Sequence, residues 1–471
     1  MCAERQGDRM DQARVQEIMD RWVLPTEESS YMGGLDKRPI LAAAHGSTVV
    51  DTQGKEYLDF QSGQMGAALG HRHPRVMAAV HRATETFVHA SNIMLNVPRL
   101  ELHERLGQLL VPPLQKSLFL VTGSDTIEAS VDLARKATGG LDILGLHDGL
   151  HGSTSYISRS LSFAWTRQKH ASIAPGTAAI LTPHCYQCPV ASTFPKCEFL
   201  CLKASMELAD ANFTSRPAAV IAEPILSAGG VIVPPPGYFQ AVRQVCADRG
   251  MLLIFDEAQT GLGKTGRMFG FEHEGVVPDI MALSKHFGGG VPVSAVCTTA
   301  EIAQRAVASG FFATRSHATD PLLCAAGVAS LDAIVEDDLP GRAARIEQRM
   351  KAAFAEMATR YEVIGDVRGR GVLLGLELVT DRERKTPANE VAAAVERRCL
   401  EAGLILQLRG TGPGRKNVLR LVPPMTTTEA EIDRALSIID AALAGAEGHT
   451  PTVGRKGALR GPRPKWALRK K

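Results

Sequence analysis

From about residue 90 onward, short apolar runs alternate with segments whose apolar positions recur every three or four residues. The runs are "SLFLV" (117–121), "LDILGL" (141–146), "AAVIAEPI" (218–225), "MLLIF" (251–255) and "DIMAL" (279–283). A strand covered by helices on both faces has no solvent side, so it loses the in–out alternation of a half-exposed strand. The pattern predicts a mostly parallel sheet in a large α/β domain over about 80–335. After "EDDLPGR" the pattern changes. A helix over about 343–359 leads into Gly-rich strands, "GDVRGRGVLLGLEL", and then the strand "NVLRLVPP". The last helix opens at Thr428 with Glu431 three residues on, a capping box. These elements predict a smaller α+β domain, 336–447. Residues 47–60, "STVVDTQGKEYLDF", read as a hairpin turned at Gly54. It lies in an N-terminal segment, 1–79, assigned to the smaller domain.

Composition is that of an ordinary globular chain: 471 residues, 45% hydrophobic and 22% charged, long enough for two or three domains. Charge changes the picture more. The formal net charge is +3, but eight Lys or Arg and no acid lie after residue 449, so residues 1–449 carry −5. The basic end, 448–471, is rich in Gly and Pro and is expected to be disordered. It reads either as a weak contact for an anionic surface or as a solvated extension, with no specific nucleic-acid partner expected. No apolar run reaches the roughly 18 residues of a membrane span. The first residues mix acids with bases and lack an apolar h-region, so no signal peptide is expected. Nine mostly scattered cysteines suit a reducing, cytoplasmic compartment. Four cluster in "CYQCPVASTFPKCEFLC" (Cys185, Cys188, Cys197, Cys201). They read either as ligands of a tetrahedral zinc or as a Cys-rich loop, the gap between the pairs being shorter than in zinc ribbons.

The polar residues of interest each follow an apolar run, and in open parallel sheets ligands bind beyond the carboxyl ends of the strands. "SLFLV" runs into Thr122, Gly123, Ser124 and Asp125 at a helix start, which reads as a phosphate seat or as a plain N-cap. "AAVIA" runs into Glu223, "MLLIF" into Asp256 and Glu257 with Gln259 close behind, and "DIMAL" into Ser284 and Lys285. Each alone could be a surface residue at a strand end. Together, a lysine, a carboxylate and an anion seat on one rim are the equipment for pyridoxal 5'-phosphate. The amine attacks the aldehyde, the carboxylate pairs with the pyridinium nitrogen, and the helix start anchors the phosphate.

From about residue 40 to 445 the chain resembles the class III (subgroup II) pyridoxal-phosphate aminotransferases of fold type I. "GMLLIFDEAQTGLGKTGRMF" followed by "PDIMALSK" carries that resemblance. Within the family, "LDFQSGQMGAALGHRHP", "IAEPILSAGGVI" and "IGDVRGRGVLLGLEL" are similar to segments of the dialkylglycine decarboxylases. The resemblance implies a homodimer with sites at the subunit interface. It assigns Lys285 to the covalent linkage and proton transfer, Asp256 to the ring nitrogen, Gln259 to the neighbourhood of the ring hydroxyl, and Gly123 and Ser124 to phosphate. Ser316 would reach the other subunit's phosphate, His151 would belong to the cofactor site, and the residue before it would stack on the ring. Arg420 would clamp a substrate carboxylate through a planar fork, although a solvated strand arginine is its other reading. Gln64 with Ser227 would hold a carboxylate about to leave as CO2, or Gln64 would simply bond backbone near the site. A potassium ion is implied at Asp320, with Ser316 and Asn92; the other reading of Asp320 is an Asp-Pro turn residue.

Two positions depart from the resemblance. Leu150 stands where the family carries the stacking aromatic, and Ile127 where it carries a polar residue. Loss of the stacking face should cost about 0.5–1.5 kcal/mol, which a covalent linkage tolerates, and Leu150 leaves more room over the cofactor. The expected activity is transfer of an amino group from an amino acid to a 2-oxo acid, with or without decarboxylation of an α,α-disubstituted donor, in amino acid or specialised metabolism. A racemase or aminomutase on the same scaffold, or a non-catalytic relative acting as a binding module, are the alternatives.

Overall fold

A computed structural model describes residues 12–24, 39–162, 174–213, 215–410 and 415–447. The basic end therefore lies outside the described residues. The apolar runs form five strands of a seven-stranded sheet made of β4 (Lys116–Leu120), β5 (Asp142–Leu146), β6 (Thr177–Ile180), β7 (Pro217–Ala222), β8 (Leu252–Asp256), β9 (Ile280–Leu283) and β10 (Ser294–Thr298). Preceding them in the chain are β1 (Leu41–His45), β2 (Thr48–Asp51) and β3 (Glu56–Asp59). The order across the large sheet is β4-β10-β9-β8-β7-β5-β6. Neighbours from β9 through to β6 run parallel, and β10 alone is antiparallel to both strands beside it. β5, β8 and β9 are buried nearly throughout, which is why no alternation marks them. The pattern missed β6 and β10. β10, "SAVCT", is fully buried, but its small and hydroxylated side chains break up the apolar run.

β4 is antiparallel to β10 and so runs the same way as the parallel strands. The carboxyl ends of β4, β5, β7, β8 and β9 therefore share one rim. The helix Gly123–Thr138 leaves that rim directly after β4, opened by Thr122, whose side chain accepts the Asp125 N–H at 3.2 Å.

The last third of the chain builds an antiparallel sheet ordered β11-β12-β16-β15, from Ile364–Arg370, Leu373–Asp381, Val418–Leu421 and Gln407–Arg409, with β13 (Thr386–Pro387) beside β12. The short β14 (Leu404–Ile405) instead pairs in parallel with β3, tying the N-terminal hairpin to this part of the chain. The hairpin itself forms as β2 and β3. Both arms of the capping box at the last helix are made: Thr428 N–H donates to Glu431 Oε2 at 2.8 Å, and Glu431 N–H to Thr428 Oγ1 at 3.3 Å.

Candidate active site

Asp256 ends β8 with a buried carboxylate. Its Oδ2 accepts a hydrogen bond from His151 Nδ1 at 2.9 Å, and its Oδ1 accepts the Ala258 N–H at 3.1 Å. Glu257, the next residue, faces away from it. Its carboxylate accepts from Thr260, Gly270 N and Phe271 N, and burial pushes its pKa up to about 7. Alternation along a strand decides this: the two neighbouring acids fall on opposite faces.

Lys285 follows β9 and takes a left-handed φ of 52°. Burial lowers the pKa of its amine, while the carboxylates of Asp256 and Glu223 act in the opposite sense and the guanidinium of Arg420 reinforces the lowering. The anion seat is close by. A Cβ on Gly123 would lie 2.9 Å from Ser284 Oγ, and one on Gly152 would lie 2.4 Å from Ser124 Oγ. The helix start thus packs against the lysine's neighbour on one side and the His151 loop on the other, with little room for a Cβ at either contact. Among the buried polar atoms with no hydrogen-bond partner among the described residues are Gln259 Oε1, Ser284 Oγ and His151 Nε2. Buried polar atoms seldom stay unpaired without a reason, and here they border an anion seat, an amine and a carboxylate. This donor set fits pyridoxal phosphate.

Arg420 on β16, whose guanidinium acts electrostatically on Lys285, is 2% exposed. Its Nη1 donates to Ser227 Oγ at 3.0 Å and its Nη2 to Gln407 Oε1. Both partners are neutral, so this buried guanidinium has no bonded anion among the described residues, an arrangement that is costly for a cation. Gln407 was not legible in the sequence; it faces Arg420 through the β15–β16 register. Glu223 lies beneath this group. Its two oxygens accept the N–H groups of Leu150 (2.9 Å) and Ser227 (3.2 Å), joining the loops on either side, and burial pushes its pKa up to about 7.

Gln64 is exposed, on a turn in which Ser62, Gly63, Gln64 and Met65 all have φ between 48° and 69°. For a non-glycine residue that region costs about 1–2 kcal/mol. Ile127, by contrast, is 2% exposed and packs in an apolar cluster with Leu120 and Ala129, so this departure belongs to the core.

The remaining residues sit further out. Ser316 is exposed on a loop whose Arg315 pairs with Asp125 at 3.1 Å, close to the helix start. The two oxygens of Asp320 are engaged by His89 Nδ1 (2.7 Å) and His317 Nδ1 (2.8 Å), while the amide of Asn92 donates to Thr314 and to the Arg315 carbonyl. Two imidazoles on one carboxylate do not fit an alkali-metal ion, which prefers oxygen donors. No step is derived through such an ion. Cys185, Cys188, Cys197 and Cys201 are free thiols. Burial, reinforced by the other three, raises the pKa of Cys185 to about 11. Among the described residues, the His89, His317 and Asp320 group, and not the four cysteines, brings three such side chains within 4.8 Å.

A lysine, a carboxylate on its strand end and an anion seat on a parallel-sheet rim define a fold type I pyridoxal-phosphate transferase architecture. The chain belongs to the class-III aminotransferases: the profile of that family, Aminotransferase class-III, matches residues 36–443. It is 37% identical over 415 residues to an uncharacterized aminotransferase of Schizosaccharomyces pombe, covering 87% of this chain and 92% of that one. It is 33% identical over 440 residues to a leucine/methionine racemase of Thermococcus litoralis, covering 92% and 96%. Among solved structures it is similar to an amine transaminase from an uncultivated Pseudomonas species in its PLP-bound form, with TM-score 0.82, 28% identity and coverage of 90% and 99%.

Proposed function

We propose that this aminotransferase uses pyridoxal phosphate to take an amino group from an amino acid and pass it to a 2-oxo acid. The observation that carries the reading is the buried His151–Asp256 pair at the base of a rim where the helix start at Gly123 packs against the neighbour of Lys285. When bound, the cofactor supplies an electron sink for the bond broken at the donor's Cα. Lys285 Nζ is the covalent anchor and then the group that moves the proton at that carbon, a task suited to an amine whose pKa is lowered by burial. Asp256, oriented by His151, would hold the proton on the ring nitrogen. The N–H groups at 123–124 would bind phosphate, and Gln259, whose Oε1 has no partner among the described residues, would meet the ring hydroxyl. Arg420 clamps the donor carboxylate through its two terminal nitrogens.

Gln64 and Ser227 support a second reading, in which a carboxylate held by them leaves as CO2 from an α,α-disubstituted donor. The likeness to a racemase supports a third, in which no acceptor is needed. One donor panel on purified holoenzyme separates them. With 2-methylalanine and pyruvate, CO2, acetone and alanine mark the decarboxylating reaction. Amino transfer from an ordinary donor without CO2 marks plain transamination, and inversion of a donor without any acceptor marks racemisation. Failure to take up the cofactor would sink all three.

The working unit in this reading is a homodimer. Phe87, Ile93, Met94, Leu95 and Val97 are at least half exposed on one stretch, Phe312 is 82% exposed, and a cavity of about 640 Å³ lies between 79–101 and 321–332. An apolar surface of this kind suits a second copy. Eight described free thiols suit a cytoplasmic setting.

A further inference from the structure

Lys264 is fully buried, in the loop that follows Asp256, and none of the steps above uses it. Its Nζ donates to the Met65 carbonyl at 3.2 Å, and it makes no ion pair among the described residues. Around it lie the like charges of Lys285 and Arg420; burial first, then these two cations, lower the pKa of its amine. A lysine is almost never buried without a carboxylate, so its position calls for a reason.

The reason lies in what it holds. Met65 closes the left-handed turn that carries Gln64, with φ of 48°, 53°, 62° and 69° at residues 62 to 65. Three of those four residues are not glycine, and such backbone persists only where its surroundings over-determine it. Asp59 pins the front of the turn, its oxygens accepting Gln61 N–H at 3.0 Å and Gly63 N–H at 2.7 Å, and Ser62 Oγ donates to the Val422 carbonyl. At the back, the Met65 carbonyl is held by Lys264. The loop bearing Lys264 is itself fixed: Val372 N–H donates to the Lys264 carbonyl at 2.9 Å, and a Cβ on Gly371 would fall 2.2 Å from that oxygen.

We propose that Lys264 is a positioning residue for donor specificity: its amine clamps the Met65 carbonyl and so fixes where Gln64 stands at the cleft, without touching substrate itself. The inference rests on the reading above that Gln64 meets the donor. The turn is thereby tied to the loop that continues from Asp256, so the cofactor base and the donor-facing glutamine share one support.

The test compares holoenzyme of Lys264→Met, Lys264→Arg, Gln64→Ala and the double variant Lys264→Met/Gln64→Ala. Cofactor absorbance and thermal unfolding check integrity, and kcat and KM are measured separately for donor and acceptor. Loss of one hydrogen bond that orders a contact residue should raise donor KM about fivefold to tenfold with acceptor KM unchanged. Lys264→Arg should recover most of it, and the double variant should be no worse than Gln64→Ala alone, since the two act through one contact. If Gln64→Ala raises donor KM and Lys264→Met does not, the role of Lys264 is refuted while the Gln64 reading stands. If Gln64→Ala changes nothing, the Gln64 reading itself fails. Should Lys264→Met not fold, Lys264→Gln, whose shorter side chain cannot reach the carbonyl, takes its place under the same criteria.

Discussion

The two walls of the cleft are built differently. The cofactor wall comes from one sheet: Asp256 ends one of its strands, Gly123, His151 and Lys285 follow three others, and close contacts join the segments that carry them. The donor wall, in the proposed reading, is assembled from distant pieces. Arg420 comes from the last antiparallel sheet, Ser227 from the loop after β7, and Gln64 from a strained turn near the N-terminus. The first wall suits chemistry that every member of a family shares. The second can change one segment at a time, which suits a choice of substrate.

That contrast gives a graded set of expectations. The largest effect belongs to the cofactor wall. Lys285→Ala should remove turnover at every donor tested, and borohydride should no longer fix the cofactor to the chain; measurable turnover would break the comparison at its base. Next, Arg420→Gln should raise donor KM about 10²-fold or more, because loss of a charged bidentate contact costs about 2–4 kcal/mol, while cofactor absorbance stays as in the parent. If absorbance falls with it, the walls are not independent.

Glu223 joins the walls and gives a pH signature. Its pKa is raised from 4.5 to about 7 by burial. The folded state therefore holds its proton between those values while the unfolded state releases it. This contribution is complete below pH 4.5 and is lost as pH rises through about 7. Glu223→Gln, neutral throughout, should gain stability relative to the parent as pH climbs across that window, by up to about 3 kcal/mol. Thermal unfolding at a series of pH values reads the difference; a gap that stays flat from pH 4.5 to 8 would contradict it. The smallest effect is at Leu150. Leu150→Tyr should tighten the cofactor several-fold by adding a stacking face worth about 0.5–1.5 kcal/mol, read by cofactor titration of the apoprotein, and should narrow the range of bulky donors accepted.

The cofactor wall was largely legible from the chain, since a continuous apolar run marks a strand buried on both faces and the residue after it must lie on the rim. The donor wall was legible only through resemblance. Nothing local to Arg420 tells a buried arginine from a solvated strand arginine, and Gln407 carries no signal at all, because its contact arises from the β15–β16 register. Lys264 sat unremarked inside the most recognisable motif. Its burial depends on a turn 199 residues earlier in the chain. Ile127 is a departure whose place only the structure gives: it packs in an apolar cluster of the core.

The sequence by itself determined the alternation of strands and helices, the rim on which Lys285 and Asp256 stand, and the class of chemistry they support. These follow from short-range rules: hydrophobic period, helix caps and the direction of parallel strands. Only the tertiary structure decided that Arg420 is buried against neutral partners, that Glu223 bridges two loops, and that Lys264 supports the turn bearing Gln64. Each of those depends on segments far apart in the chain being pressed together, and burial of a charge is a property of what surrounds it, which no local pattern records.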